Sequence, residues 1–353
     1  MCHLSRGIIV ALILATFCLC VQPSWGGEVQ IKGAGATFPE PFYYRAFDAY
    51  YRQRGIKVNY RGEGSGAGMR QLFARSVDFA GTDIVPYEPG QPENAALVRI
   101  PTCLGAVVLI YNLRDNPKLR FTPEILADIY LGKITKWNDP RLVSINREVN
   151  LPDLAINVIH RSDESGTTYI FTDYLSKTSD VWRKTIGSAK SHVQWPTGQG
   201  AKGNPGLAGM VRQITGAIGY VELTYAVGND MTFGLVQNKS GKFIEPCPAS
   251  VANAANAIGR VDNGVSLTDT THPDGYPISG FTWLVVFKEQ NYGQRDKGIA
   301  EELVRMLSWV THDGQKYAPS LRYVPLPKGV VKKTEGILKS ITYNGVPVAR
   351  EKR

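Results

Sequence analysis

The chain has 353 residues, 43% of them hydrophobic, with 40 Lys and Arg against 31 Asp and Glu for a formal net charge of +9. That length is more than one hydrophobic core usually serves, so two lobes are expected, and the positive balance favours anionic partners without identifying the anion. Three of the five cysteines precede residue 26, leaving Cys103 and Cys247. Two are too few for a disulfide scaffold or a zinc site, and their spacing alone does not establish a bridge.

Residues 1–26 read as a secretory signal peptide, with Arg6 in a short polar start, an apolar run over 8–21, and a Ser24-Trp25-Gly26 end that offers small residues for cleavage. The mature chain is expected to begin near Gly27. The apolar run is too short to span a bilayer comfortably and no later stretch is apolar enough, so a soluble exported protein is expected. Cys18 and Cys20 raise a lipid-anchored alternative, which Phe17 and Leu19 disfavour because a small residue is expected before a lipid-bearing cysteine.

A short apolar start over 29–31 leads into Gly33-Ala34-Gly35-Ala36-Thr37-Phe38-Pro39 and then a helix carrying Phe42, Tyr43, Ala46, Phe47, Tyr50 and Tyr51 on a broad stripe that ends before Gly55. Without a Cβ to obstruct it, such a turn lets backbone N–H groups approach a bound group, and Thr37 adds a hydroxyl. The plain alternative is a tight turn with Thr37 as helix cap. The pattern repeats: Val58 and Tyr60 alternate as a strand, Gly62-Glu63-Gly64-Ser65-Gly66-Ala67-Gly68 comes after it, and Met69, Leu72 and Phe73 open a second helix. Gly62-Glu63-Gly64 with Ala67 is a weak match to a dinucleotide fingerprint, with Asp83 at a tolerable distance for a ribose contact, and no P-loop occurs. Asp83 follows a strand over 77–80, in Phe79-Ala80-Gly81-Thr82-Asp83, at the strand end where ligands of open α/β sheets collect.

The apolar strand over 102–113 carries the chain from the first lobe to the second. A capped helix is expected over 122–130, with 131–139 as its turn and continuation. A buried strand over 156–160 then meets Arg161-Ser162-Asp163-Glu164-Ser165-Gly166-Thr167-Thr168, ahead of a helix whose face holds Ile170, Phe171, Tyr174 and Leu175. The first N–H groups of that helix lack intrahelical partners and carry the positive end of its dipole, so with Ser165 and Thr167 they can enclose an anion. Arg161 adds a permanent charge and a planar fork of donors. The bland alternative is that Ser165 only caps the helix and Arg161 lies in solvent.

A helical patch is expected next, around Val181, Trp182 and Ile186. Gly198-Gln199-Gly200-Ala201-Lys202-Gly203 matches GxGxxG literally, but Trp195-Pro196-Thr197 is a poor strand and Asn204-Pro205 breaks continuity, so it reads as a loop before a helix carrying Leu207, Met210, Val211 and Ile214. A strand over 217–221, a hairpin around Asn238-Lys239-Ser240-Gly241, and a helix through Val251, Ala254, Ala255 and Ile258 come next. The apolar strand over 281–287 returns to the first lobe, before a long helix with Ile299, Leu303, Met306, Leu307 and Val310 and a last stripe of Ile337, Leu338 and Ile341. Strands alternating with helices argue for an α/β architecture with two crossings between lobes.

The glycine-rich turn with Thr37 and Phe38, Gly62-Glu63-Gly64-Ser65, Phe79-Ala80-Gly81-Thr82-Asp83 and the segment Arg161 to Thr167 together closely resemble the PstS family, the periplasmic phosphate-binding proteins of the bacterial Pst ABC importer. The likeness continues through Tyr130-Leu131-Gly132-Lys133-Ile134, the Gly203-Asn204 loop and Gly216-Ala217-Ile218-Gly219-Tyr220-Val221, covering almost the whole mature chain. The resemblance implies a two-lobed periplasmic-binding-protein fold of class II, the Venus-flytrap type. Lobe 1 is then discontinuous, 27–102 and 279–353, and lobe 2 is 103–278. The implied phosphate ligands are Thr37, Phe38 through its backbone N–H, Ser65, Asp83, Arg161, Ser165, Gly166 and Thr167, with Asp163 pairing the site arginine. It further implies a periplasmic, non-enzymatic monomer that closes on inorganic phosphate and delivers it to membrane permease and ATPase subunits, with no cofactor, metal or nucleic acid.

Two positions depart from the family pattern: Gly66 stands where Ser often follows Ser65, and Glu164 replaces a frequent Gly. Glu164 is expected on the rim or at the helix start, since inside the cleft it would repel phosphate. The alternatives from other classes are a phosphate-ester enzyme, against which the five histidines form no ligand spacing and no Gly-x-Ser-x-Gly elbow surrounds Ser65 or Ser165, and an adhesin or signalling role on the same scaffold.

Overall fold

The computed structural model describes residues 30–84, 97–257 and 265–349. The expected leader, the start at Gly27, Cys18, Cys20 and Ile258 lie outside these residues. β1 (Gln30–Gly35) feeds α1 (Glu40–Arg54), which Gly55 closes in the left-handed conformation. The apolar stripe buries Phe42, Tyr43, Ala46, Phe47 and Tyr50, but Tyr51 is 46% exposed. Nine residues place it about 180° round the helix from Phe42, beyond the buried arc. β2 (Lys57–Gly62), α2 (Ser65–Phe73) and β3 (Phe79–Thr82) complete a unit in which β1 lies parallel between β2 and β3.

β4 (Leu97–Tyr111) starts earlier than the expected 102 and runs for 15 residues. Beyond it come β5 (Arg120–Phe121), α3 (Pro123–Tyr130) capped by the Thr122 hydroxyl, and α4 (Pro140–Ile145) capped by Asp139. Residues 131–139 do not continue α3, because Gly132 turns the chain at a positive φ of 73°. β6 (Asn157–Arg161) leads to α5 (Gly166–Thr178) and α6 (Asp180–Thr185). The expected loop over 198–203 contains a short strand, β7 (Gln199–Ala201), held parallel to β6. The Asn204-Pro205 pair lies in the opening turn of α7 (Gly203–Gln213) and does not interrupt that helix, because a missing proline N–H costs nothing in the first turn.

β8 (Ala217–Glu222), α8 (Leu223–Gly228), the hairpin strands β9 (Leu235–Gln237) and β10 (Phe243–Ile244), and α9 (Pro248–Asn256) finish the middle of the chain. β11 (Ser279–Phe287) returns, and α10 (Lys297–Thr311), α11 (Lys328–Lys339) and a small ribbon of β12 (Thr342–Tyr343) and β13 (Val346–Pro347) complete the chain.

The large sheet has the order β2-β1-β3-β11-β4-β8-β6-β7. β4 joins its halves: residues 97–106 pair antiparallel with β11, and residues 107–111 pair antiparallel with β8. Pro101, which cannot donate to the ladder, sits opposite Trp283 beside a register shift between Thr282 and Trp283. Buried side chains of both halves form one continuous core, including Phe42 and Leu307 on one side and Phe171, Trp182 and Tyr220 on the other. Cys103 is buried and Cys247 partly exposed, and both are free thiols. Among the described residues no helix is long and apolar enough to cross a membrane.

Candidate functional site

The C-terminal ends of β1, β2 and β3 in one lobe face those of β6 and β7 in the other. β2, β6 and β7 each deliver their polar residues where a helix begins, so the N-terminal N–H groups and positive dipole ends of α2, α5 and α7 gather in one place, beside Asp83 at the end of β3. Two contacts show how closely the lobes meet. The Gly166 N–H, at the start of α5, donates to Ser65 Oγ at 3.1 Å. A Cβ on Gly166 would lie 2.3 Å from Asp83 Oδ2 and 2.6 Å from Ser65 Oγ, so only glycine fits there.

Thr37 is buried, and instead of capping α1 it binds across the cleft. Its Oγ1 accepts from the backbone N–H of Asn204 (3.1 Å) and from Asn204 Nδ2 (2.8 Å). The Thr37 carbonyl, which belongs to the same peptide as the Phe38 N–H, accepts from the Tyr225 hydroxyl at 2.6 Å. The Phe38 carbonyl accepts from the Tyr323 hydroxyl, also at 2.6 Å. Both faces of that turn are therefore tied, which holds the Phe38 peptide in one orientation. Ser65 Oγ accepts a second bond, from the Asp83 N–H at 3.4 Å. On the other side Ser165 Oγ caps α5 by accepting from the Thr168 N–H (3.1 Å), and Thr167 Oγ1 accepts from Asn204 Nδ2 (3.1 Å).

Two charged groups carry the electrostatics. Arg161 is 3% exposed, not in solvent; its Nε and Nη2 form a bidentate pair with Asp163 at 2.7 and 2.5 Å, while Nη1 is buried with no protein partner. Burial alone would raise the Asp163 carboxyl, but Arg161 and the Gly203 N–H (3.0 Å) outweigh it and hold that carboxyl below its ordinary value. Asp83 is 4% exposed, and neither of its oxygens accepts a hydrogen bond from the protein. Burial pushes its pKa up to about 7, only partly offset by the nearby Thr282 hydroxyl, which is turned to the Thr82 carbonyl at 3.5 Å, and by the Arg161 charge. All nine residues singled out in the sequence thus lie in this cleft, linked by these bonds or adjacent in chain.

Glu164 lies on the rim, where its carboxylate pairs with Arg70 at 2.6 Å across the cleft mouth and its carbonyl accepts from the Gly66 N–H at 3.1 Å. A Cβ on Gly66 would stand 1.9 Å from Glu164 Oε2. The two departures from the family pattern are consequently one feature: the long side chain at 164 occupies the room a serine at 66 would need.

Sequence reasoning gave no role to Asn204, Tyr220, Glu222, Tyr225 or Tyr323. Tyr220 Oη bonds Thr168 Oγ1 (2.7 Å) and accepts from the Arg161 N–H (3.2 Å). Glu222 is fully buried, with Oε2 accepting from the Thr224 N–H (2.8 Å) and sharing with the Phe38 carbonyl the single hydrogen of the Tyr323 hydroxyl (3.0 Å), and Oε1 unpartnered. Burial first, and Asp83 in addition, push its pKa up to about 8 against those two donors. Asn204 and Tyr220 left a trace in the sequence, in the Gly203-Asn204 loop and the Gly216 to Val221 segment; the other three did not. The Asp83 carboxylate, which the weak dinucleotide reading of Gly62 to Ala67 would turn to a ribose, lies instead against Ser65 and the start of α5.

A model of the PBP superfamily domain matches residues 22–311. The phosphate-binding protein PstS of Pasteurella multocida strain Pm70 is 40% identical over 344 residues, covering 95% of this chain and 96% of that one. The chain belongs to the PstS family. A PstS of the archaeon Methanocaldococcus jannaschii is 34% identical, covering 86% of this chain and 84% of that one. Among solved structures, the phosphate-binding protein of Stenotrophomonas maltophilia superposes with a TM-score of 0.68 at 20% identity over 87% of this chain and 93% of that one. A high-affinity periplasmic phosphate-binding protein solved with phosphate, PfluDING, gives 0.69 at 20% identity with the same coverage. PstS membership and these superpositions agree with the curled sheet in placing the chain in the two-lobed periplasmic-binding-protein fold.

Proposed function

We propose that this protein binds inorganic phosphate in the cleft between its lobes and delivers it to the permease and ATPase subunits of an ABC importer. The observation that carries the proposal is a buried site with one acid among donors: Asp83 with two buried oxygens that no protein group bonds, near Arg161 with a buried Nη1 in the same condition. Such a pair suits a tetrahedral anion that is negative yet still carries a proton, the condition of inorganic phosphate at neutral pH. Thr37, the Phe38 N–H and Ser65 donate from one side; Ser165 and Thr167 donate from the other, joined by the Gly166 N–H once the ligand displaces it from Ser65 Oγ; Asp163 holds Arg161 in place. Lobe 1 is taken as 27–102 with 279–353 and lobe 2 as 103–278; β4 changes partner a little further on, at residues 106–107. Ligand contacts made by both lobes favour the closed arrangement by their differential contribution.

The role is binding rather than catalysis. The Ser65 and Ser165 hydroxyls accept from backbone N–H groups, and among the described residues no general base is bonded to either. The chain acts as a periplasmic monomer, exported on a leader removed near Gly27, which mass spectrometry of the exported protein would check. Calorimetry on the phosphate-stripped mature protein tests the function: tight phosphate binding with weak sulfate binding is expected. Equal affinity for the two anions, or turnover of a phosphomonoester with or without divalent metal, would overturn it.

A further inference from the structure

We infer that Asn204, which touches both lobes from the first turn of α7, sets the direction of the hydroxyl hydrogens of Thr37 and Thr167 and so acts as a positioning residue for phosphate. This rests on the proposal that the cleft binds phosphate.

The amide is fully buried and each of its hydrogen-bonding groups is committed. Its orientation is not ambiguous, because the neighbouring Glu222 N–H is a donor and must face Oδ1, at 3.0 Å. Nδ2 therefore points to the cleft, where its two hydrogens go one each to Thr37 Oγ1 (2.8 Å) and Thr167 Oγ1 (3.1 Å). Thr37 Oγ1 also receives the Asn204 backbone N–H at 3.1 Å, which fills both of its acceptor positions. Its single hydrogen is left with only one use, donation to whatever anion occupies the cleft. Thr167, with one acceptor position filled by the same amide, is biased likewise. A hydroxyl free to rotate can present either a lone pair or a hydrogen, and a lone pair aimed at an anion is repulsive. Asn204 removes that freedom from one hydroxyl in each lobe with one planar group.

The geometry also makes Asn204 a contact of the closed arrangement, since Thr37 and Asn204 belong to opposite lobes. Its loss should speed phosphate release more than it slows capture.

Asn204→Asp is the informative variant because it keeps size and hydrogen-bonding partners but reverses polarity. One carboxylate oxygen still accepts from the Glu222 N–H, while the other accepts from both threonine hydroxyls and turns their hydrogens away from the anion. Stopped-flow and calorimetric measurements on phosphate-stripped protein should show phosphate binding weakened about 100-fold or more, as expected for losing two hydrogen bonds to a charged ligand. The loss should lie in the dissociation rate, with association within about threefold of the parent and the melting temperature without phosphate little changed. Asn204→Ala should cost less than Asn204→Asp, the reverse of what a packing role predicts, and its effect should shrink in a Thr37→Val background to the part that acts through Thr167. Affinity of Asn204→Asp within threefold of the parent, a larger loss for Asn204→Ala, or full additivity with Thr37→Val would overturn the inference. Should Asn204→Asp not fold, the cycle between Asn204→Ala and Thr37→Val decides alone. A parent protein that takes up no phosphate overturns the phosphate reading and this inference together, whereas variants that match a binding parent overturn only the role of Asn204.

Discussion

Replacing Asp83 by Asn exchanges an acceptor oxygen for a donor nitrogen in a site otherwise composed of donors. The carboxylate is 4% exposed and neither oxygen has a partner in the protein, so whatever faces it in the closed cleft must supply a hydrogen. Phosphate at neutral pH can do so and sulfate cannot. An unsatisfied buried acceptor costs about 1–3 kcal/mol, more when charged, and repulsion between like charges adds to that, so phosphate should be preferred by a factor on the order of 100 or more. In Asp83→Asn the amide can donate to an unprotonated oxygen, and the gap should narrow to about tenfold, chiefly through tighter sulfate binding. The preference should also depend on pH in a definite direction. Because burial holds the Asp83 pKa near 7, acidification protonates it and lets it donate to sulfate, so discrimination should shrink from pH 8 to pH 6 in the parent and stay flat in the variant. Calorimetric titration of both anions into both proteins at the two pH values checks this. Comparable affinities in the parent, or an undiminished gap in Asp83→Asn, would refute the reasoning.

Arg161→Ala should weaken phosphate and sulfate alike by about 100-fold or more, since it removes a charge both anions use and leaves the partly buried Asp163 carboxylate without its counter-ion; Arg161→Lys should recover only part, lacking the fork that spans Asp163 and the ligand. Glu222 and Asp83 both hold protons in the folded protein at pH values where the unfolded chain has released them, so the folded state of phosphate-stripped protein should lose stability as pH rises from about 4 to 8. Melting temperatures across that range should fall, and Glu222→Gln should flatten the upper part of the decline. Gly66→Ser should weaken phosphate binding by about three- to tenfold by displacing Glu164 from Arg70, and adding Glu164→Gly should restore it; a double variant no better than Gly66→Ser would disprove the coupling of the two positions.

The ends of strands and starts of helices were legible in the sequence because they depend on local chemistry. Gly55 closes α1, Thr122 caps α3, and Ser165 sits where β6 gives way to α5. Motif order placed the ligand candidates, since each lies within a few residues of such a junction. What stayed hidden depends on contacts between distant segments. β7 exists because β6 offers it a parallel edge, against weak strand character of its own. Thr37 looked like a cap, but its hydroxyl is taken by Asn204, 167 residues later. The hydroxyls of Tyr225 and Tyr323 lock the turn at Thr37 and Phe38 from 188 and 285 residues away, and nothing local distinguishes those tyrosines from core aromatics. Glu164 fell where charge repulsion said it must, outside the cleft.

The long crossing strand has a further consequence for how the molecule comes apart. β4 is a single uninterrupted strand whose two ends belong to different halves, and one core cluster runs beneath both. Neither lobe can melt without stripping hydrogen-bond partners from the strand that the other needs. Heat should therefore unfold the protein in one calorimetric transition, and a cavity cut under α6, as by Trp182→Ala, should lower the melting point reported by probes in both lobes. Parting of the lobes on phosphate release, as proposed, would require the same strand to flex, and the register shift beside Pro101 would give it slack to twist the ladder locally while the core beneath stays packed.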